Sequence, residues 1–468
     1  MLWLALGILG IHAGMLAHAS RKHSPTMLEP ALLVAGLSHW EFGRFELYRV
    51  NPPLVRMVAA IPVIWADYEA DWTAFRVGPG IRSEYMMGLD FIVKNGQRSI
   101  YLFTIARWAC IPFSIIGAVF AFFYSREIWH SNAAGLLTLT IWCFEPNILA
   151  HAELITNDVA CLSFSLGATW LFWRWLKVPT WSRAILAGAL LGFAQLAKSS
   201  CLILFLIWPF VAGVWWFASR SMACDSARTD DEHSDSTISG SRGAPTQHDS
   251  SFRVTSGWSQ RGSVRLISQL FLIQIFALYI LNLGYGFDGT FKPLREYEFI
   301  SSSLTGSQEL GSVGNRFRSS WLGDISVPLP EQYVLGLDMQ KHDFEDWGNR
   351  NFLMGEWKHG GWWYYYLYGM CVKVPHGVHL LFFMSLLWSL RNWIESRRRG
   401  PSSVVCLSSN MRWDSLLNQL MLVVPSLVLF IVVSSQVQMN EHFRYVLPTV
   451  GMLAVFSGRA VYWWHPSQ

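Results

Sequence analysis

Apolar runs long enough to cross a bilayer recur ten times along this chain, and no other feature constrains its fold as strongly. A helix needs ~20 consecutive apolar residues to span the hydrocarbon layer. Runs of that kind fall at about 2–19, 100–124, 133–150, 159–176, 184–198, 200–218, 266–287, 362–390, 415–435 and 444–464. The fifth and sixth meet at Lys198-Ser199-Ser200, the place for a tight helical hairpin. Of the 468 residues 52% are hydrophobic and only 15% charged, a balance outside the range of soluble domains. The chain therefore reads as an all-α integral membrane protein with about ten transmembrane helices. A net charge of +4 gives no basis for nucleic-acid binding.

Positive charges in short loops set the expected orientation. Arg126, the group Arg174, Lys177 and Arg183, and the cluster Arg391, Arg397, Arg398 and Arg399 share one side. The loops 151–158 and 436–443 on the other side hold no Lys or Arg. Both termini are then cytoplasmic, and the long loops 20–99 and 288–361 face the periplasm or its equivalent. The first span lacks a basic lead segment and a small-residue cleavage site, so it reads as retained. Seven cysteines show neither a disulfide framework in the external loops nor a Cys-x-x-Cys metal spacing, and read as free thiols.

Residues 219–263 hold twelve serines and almost no aliphatic side chains. Such a segment cannot bury enough apolar area to offset its chain entropy and is expected as a disordered cytoplasmic linker. It divides a six-span region, 1–218, from a four-span region, 264–468, and a shorter basic linker is expected at 391–413. The halves show no internal repeat, which disfavours a transporter. In the first external loop, Leu28, Leu32, Ala35 and Trp40 recur at helical spacing, and so do Leu54, Val55, Val58, Ile61 and Trp65. Both stretches read as amphipathic helices lying in the membrane interface. The second loop ends in Gly360-Gly-Trp-Trp-Tyr-Tyr-Tyr366, an interfacial aromatic belt.

Ionisable residues concentrate at one depth. Glu29, Glu145, Glu153, Asp158, Lys198, Lys373 and Arg444 all map to the outer ends of spans, with Arg107 about two turns deeper. A conduction path would scatter such groups through the midplane, whereas charges at one face fit a site that handles a lipid headgroup. Each has a plainer reading too. Glu29, with Pro30 beside it, suits the first turn of a helix, Asp158 suits a helix cap, and Lys198, Lys373 and Arg444 suit snorkelling anchors.

Glu29-Pro30, then Asn51-Pro52-Pro53-Leu54, then His151-Ala-Glu-Leu-Ile-Thr-Asn-Asp158, Leu196-Ala-Lys-Ser-Ser200 and Asn440-Glu-His-Phe-Arg-Tyr-Val-Leu-Pro448 form a recognisable series. It resembles the lipid-linked glycosyltransferases of the protein O-mannosyltransferase and aminoarabinose transferase type, in the GT-C superfamily. Gln332-Tyr333-Val-Leu-Gly336, Phe352-Leu-Met-Gly355 and Lys373-Val-Pro375 extend the likeness, so it runs from about 27 to 450. The family usually has Asp-Glu where this chain has Leu28-Glu29, and often His-Pro-Pro where it has Asn51-Pro52-Pro53.

The resemblance implies a GT-C-like fold in a bacterial inner membrane or its equivalent, and a polyprenyl-phosphate-linked sugar as donor. It implies transfer to a hydroxyl of a protein, lipid or glycan acceptor, with inversion at the anomeric carbon. It places catalysis on Glu29 and Asp158, donor phosphate on Lys198, Arg444, Lys373 and Arg107, and acceptor or sugar contacts on Asn51, Glu145 and Tyr445. No cofactor is called for, and no residue pattern demands a metal, although Glu/Asp pairs are able to hold a divalent ion. Leu28 and Asn51 keep open a catalytically silent relative that binds a lipid-linked sugar; a lipid or sugar transporter is the remaining alternative.

Overall fold

The computed structural model describes residues 1–234, 260–307, 309, 311–346, 348, 350–398, 405–435, 440 and 442–464. The first apolar run forms α1 (Leu2–Ala19), and the first external loop folds into α2 (Glu29–Phe42), α3 (Leu54–Ile64) and α4 (Glu84–Asn95). The bundle continues with α5 (Arg98–Ile128), α6 (Asn132–Phe144), α7 (Pro146–Ala152), α8 (Asn157–Lys177), α9 (Trp181–Ala197), α10 (Ile203–Ser234) and α11 (Gln260–Gly284). The second loop holds α12 (Ser302–Thr305), α13 (Glu331–Glu345) and a hairpin of β1 (Asn351–Leu353) and β2 (Glu356–Lys358). The chain then closes with α14 (Tyr365–Lys373), α15 (His376–Arg398), α16 (Val405–Ser435) and α17 (Leu447–Ser457).

Every apolar run in the sequence is helical, but not every run is one straight span. Among the described residues six helices are long and apolar enough to cross a membrane, or up to eight if each of two bent pairs counts once. One bent pair is α6 and α7, which meet at 58° where Pro146 ends the preceding helix and opens the next. The other is α14 and α15, which meet at 104° across Val374-Pro375, so the run 362–390 is not a single rod. Of the serine-rich linker expected at 219–263, residues 235–259 lie outside the described part, as do 399–404 of the basic linker.

The bundle is apolar outside and buries a set of polar side chains within an otherwise apolar core. Trp3 and Ile11 on α1, Phe271 and Tyr279 on α11, and Leu427 and Ile431 on α16 are exposed. Helix α8 is the opposite: it is buried almost throughout, Ser163, Ser165 and Thr169 included, and packs against α5, α9 and α17. Between α9 and α11 the contact is close. A methyl on Gly188 would meet the Ile273 carbonyl oxygen at 2.8 Å, and one on Gly192 would meet the Ile280 side chain at 2.5 Å. Small residues four apart let membrane helices approach this closely.

The first loop departs from the amphipathic expectation. Helix α2 is buried on all sides from Glu29 to His39, held between α3 and α4. Helix α4 is what covers its other flank, and a methyl on Gly88 would sit 2.7 Å from the Pro30 carbonyl carbon. Helix α3 keeps a half-buried pattern, with Val55, Ala59 and Val63 inside and Trp65 exposed just past its end.

Candidate functional site

Two buried charge clusters form at the same end of the bundle. In the first, Glu29 lies fully buried at the start of α2 and pairs with Arg107 of α5, which is 1% exposed. The guanidinium grips the carboxylate twice, Nε to Oε1 at 2.8 Å and Nη2 to Oε2 at 2.6 Å. Its other three N–H groups donate to the Ser20, His23 and Ser24 carbonyls. The carboxylate also accepts from the Ile155 N–H, the Thr26 N–H and the Thr26 hydroxyl. All five Arg107 donors are thus spent, and both Glu29 oxygens are saturated.

This pair therefore fastens α2, α5, the end of α1 and the approach to α8 together. In this geometry two residues expected at the site are fully engaged with each other and the backbone. Glu29 offers no open lone pair to a substrate hydroxyl, and Arg107 offers no open donor to a phosphate.

The second cluster gathers residues from three distant stretches. Asp158 opens α8, Lys198 follows α9 and Arg444 precedes α17. Asp158 and Lys198 are 4% and 7% exposed, and Lys198 Nζ donates to Asp158 Oδ1 at 2.7 Å. Arg444 Nε lies 3.8 Å from Asp158 Oδ2, at ion-pair range, and has no hydrogen-bond acceptor among the described residues. The Tyr445 ring sits under both cations, 5.0 Å from Lys198 Nζ and 5.8 Å from the Arg444 guanidinium carbon. Two cations thus face one carboxylate, a site of net positive charge with guanidinium capacity unspent.

Local sequence explains why these groups converge. Asn157 Nδ2 donates to the Ala197 carbonyl at 2.6 Å and to the Pro52 carbonyl at 3.3 Å, which ties the start of α8 to the end of α9 and to the double-proline turn. That turn is held in place by Arg56, whose Nη1 donates to the Asn51 and Pro52 carbonyls at 2.6 and 3.1 Å. Asn51 Oδ1 is buried with no partner among the described residues. Below the cluster, Cys161, Ser165 and Thr169 descend one face of α8. With Ser200, Cys201, Leu204, Pro425, Leu429 and Met452 they line a narrow, mainly apolar groove.

The remaining expected residues are placed less centrally. Glu145 is buried, but its carboxylate caps α7, accepting from the Ile148 N–H at 2.7 Å and from Asn147 Nδ2 at 2.6 Å. It is a helix cap and makes no contact with the Asp158 cluster. Lys373 is exposed at the rim, its ammonium 5.7 Å from the Phe443 ring. Two histidines passed over in the sequence stand beside the cluster. His151 lies within the field of Asp158, Arg444, Lys198 and Lys373, and its Nδ1 is buried without a partner among the described residues. His442 is lowered to about 4 by burial and by the Arg444 charge, so it is neutral at physiological pH. Its place two residues before Arg444, and that of His151 seven before Asp158, were the available signals.

A helical bundle of this apolarity with a cationic centre at one end defines an integral membrane protein. The model of the dolichyl-phosphate-mannose-protein mannosyltransferase family matches residues 49–229, a segment that contains Asn51, Asp158 and Lys198. The chain thus resembles the lipid-linked glycosyltransferases, with Glu29 before the matched segment and Arg444 after it. Among solved structures it is similar to ArnT from Cupriavidus metallidurans, solved bound to undecaprenyl phosphate, with a TM-score of 0.46 and 12% identity. That likeness covers 98% of this chain and 59% of the other, so the chain spans about three fifths of that protein's length. No curated protein matches the chain.

Proposed function

We propose that this protein is a membrane glycosyltransferase that moves a sugar from a polyprenyl-phosphate donor to an acceptor hydroxyl on the extracytoplasmic face. The observation that carries the reading is the placement of Lys198 and Arg444, with Asp158 between them, at the head of the apolar groove along α8. An isoprenoid tail suits such a groove, and a phosphate suits paired cations in a site of low dielectric.

In the donor-free chain Asp158 occupies the place a phosphate would take. Donor phosphate, drawing Lys198 and Arg444 to itself, releases the carboxylate. Asp158 then accepts the proton of the acceptor hydroxyl as that oxygen attacks the anomeric carbon. The bond from that carbon to the phosphate oxygen breaks, and polyprenyl phosphate departs with its new negative charge held by the same two cations. A single displacement inverts the anomeric centre. Glu29 and Arg107 act in this scheme as the fastening of the first loop, not as reactants. The positive-inside distribution of short-loop charges supports the orientation.

The test is transfer of radiolabelled sugar from a synthetic polyprenyl phosphate by the purified protein in detergent. Product that requires Asp158 supports the proposal. A folded protein that binds the donor and transfers nothing to protein, lipid or glycan acceptors would favour a silent relative.

A further inference from the structure

A second cavity, of about 220 Å³, lies between the two long loops, apart from the Asp158 cluster. Val77–Gly80 form one wall, Lys292, Glu296, Glu298 and Ile300 another, and Glu331, Leu335, Asp338 and Met339 on one face of α13 a third. Arg49 lies at its base, 8% exposed. Its Nε donates to Gln332 Oε1 at 2.7 Å and its Nη1 to the Gly78 carbonyl at 2.8 Å, which leaves Nη2 with no acceptor among the described residues.

The other charges divide into spent and unspent. Lys292 pairs with Glu331 at 2.8 Å, and Asp338 accepts from the Ile300 and Ser301 N–H groups. Glu296 and Glu298 are exposed and have no partner among the described residues. Glu296 ends the short 3-10 turn Leu294–Glu296 and Glu298 follows the buried Tyr297, and both border the cavity. What the cavity lacks is therefore an anionic oxygen at Arg49 and an N–H-bearing cation at the two glutamates, with an apolar wall of Val77, Ile300, Leu335 and Met339 between.

The surrounding surface identifies the source of such a ligand. Segments 291–294 and 325–327 pair through the Phe291 N–H to the Val327 carbonyl and the Leu294 N–H to the Ile325 carbonyl. This flank exposes Phe287, Phe291, Trp321 and Ile325, a set of side chains that belongs at a bilayer interface.

We infer that this cavity binds the headgroup of a phosphoethanolamine lipid, phosphate on Arg49 and primary ammonium between Glu296 and Glu298. Its volume equals that of about seven waters at ~30 Å³ each, room for a phosphate and a two-carbon ammonium arm. A choline headgroup brings no N–H to the glutamates, and a glycerol headgroup brings no cation.

Native mass spectrometry of the full-length protein, purified with equal amounts of dioleoyl phosphatidylethanolamine, phosphatidylcholine and phosphatidylglycerol, tests this. Retention of phosphatidylethanolamine should exceed that of each other lipid by about threefold or more, the size of one partly screened ion pair. The double variant Glu296→Gln/Glu298→Gln changes only exposed side chains and should bring it to the phosphatidylcholine level. Asp158→Asn should leave the preference intact. Equal retention of the three lipids, a preference for phosphatidylglycerol, survival of the preference in the double variant, or its loss in Asp158→Asn would each overturn the inference. None of these readouts depends on sugar transfer.

Discussion

At the scale of single residues the two buried acids have opposite surroundings. Glu29 is held by one fully engaged guanidinium and three further donors, whereas Asp158 faces two cations of which one is still short of an acceptor. Removing one partner of a buried pair costs roughly 3–5 kcal/mol, because the other charge is stranded. Glu29→Ala should therefore lower thermal stability sharply and take activity with it. Asp158→Asn should cost less stability, since the Asn oxygen still accepts from Lys198, yet should abolish transfer. Melting curves beside turnover separate the two, and the reverse pattern would return the base role to Glu29. Leu28, which stands where the resembled glycosyltransferases usually have an Asp, packs here against the apolar cluster around α2. The sequence made both acids visible as candidates. It could not separate them, because the partner of Glu29 lies 78 residues away and those of Asp158 lie on two other stretches that meet it only in the fold.

At the scale of elements, helix type and position were legible wherever apolar runs were long, since only a helix satisfies its backbone in lipid. What escaped was the company each helix keeps. The Leu28–Trp40 stretch carries a helical pattern, yet α4 turns its intended membrane face into core, and nothing in the local pattern of that stretch signals the cover. The bend at Pro375 was signalled by the proline but not by hydropathy, which averages across it. The stripe Cys161, Ser165, Thr169 yields a prediction at this scale. If it borders the donor's tail, Ser165→Phe should fill part of the groove and raise the KM for a long polyprenyl donor at least tenfold, ~1.4 kcal/mol. A short, water-soluble isoprenyl-phosphate sugar should be used almost unchanged. An equal effect on both donors would move the tail to another face of the bundle.

At the scale of the whole molecule, the sequence led to an all-helical membrane protein with charge gathered at one end, and that is the architecture found. Sidedness rests on the distribution of Arg and Lys in short loops. A cysteine replacing exposed Ser303 in the second loop should react with an impermeant maleimide in intact cells, and one replacing exposed Arg126 should react only after lysis. The opposite labelling would invert the molecule and put the cluster on the cytoplasmic face. The central claim is that Lys198 and Arg444 are reserved for a donor phosphate and that Asp158 holds their place without it. Polyprenyl-phosphate affinity measured on the purified wild type and variants addresses it most directly. Asp158→Asn should bind more tightly than wild type, because a competing carboxylate is gone. Adding Lys198→Met to that variant, or making Arg444→Met alone, should weaken binding at least tenfold, since a hydrogen bond to a charged group contributes ~1.5–3 kcal/mol. Affinity unchanged in all three would contradict the account and leave the phosphate without a site in this cluster.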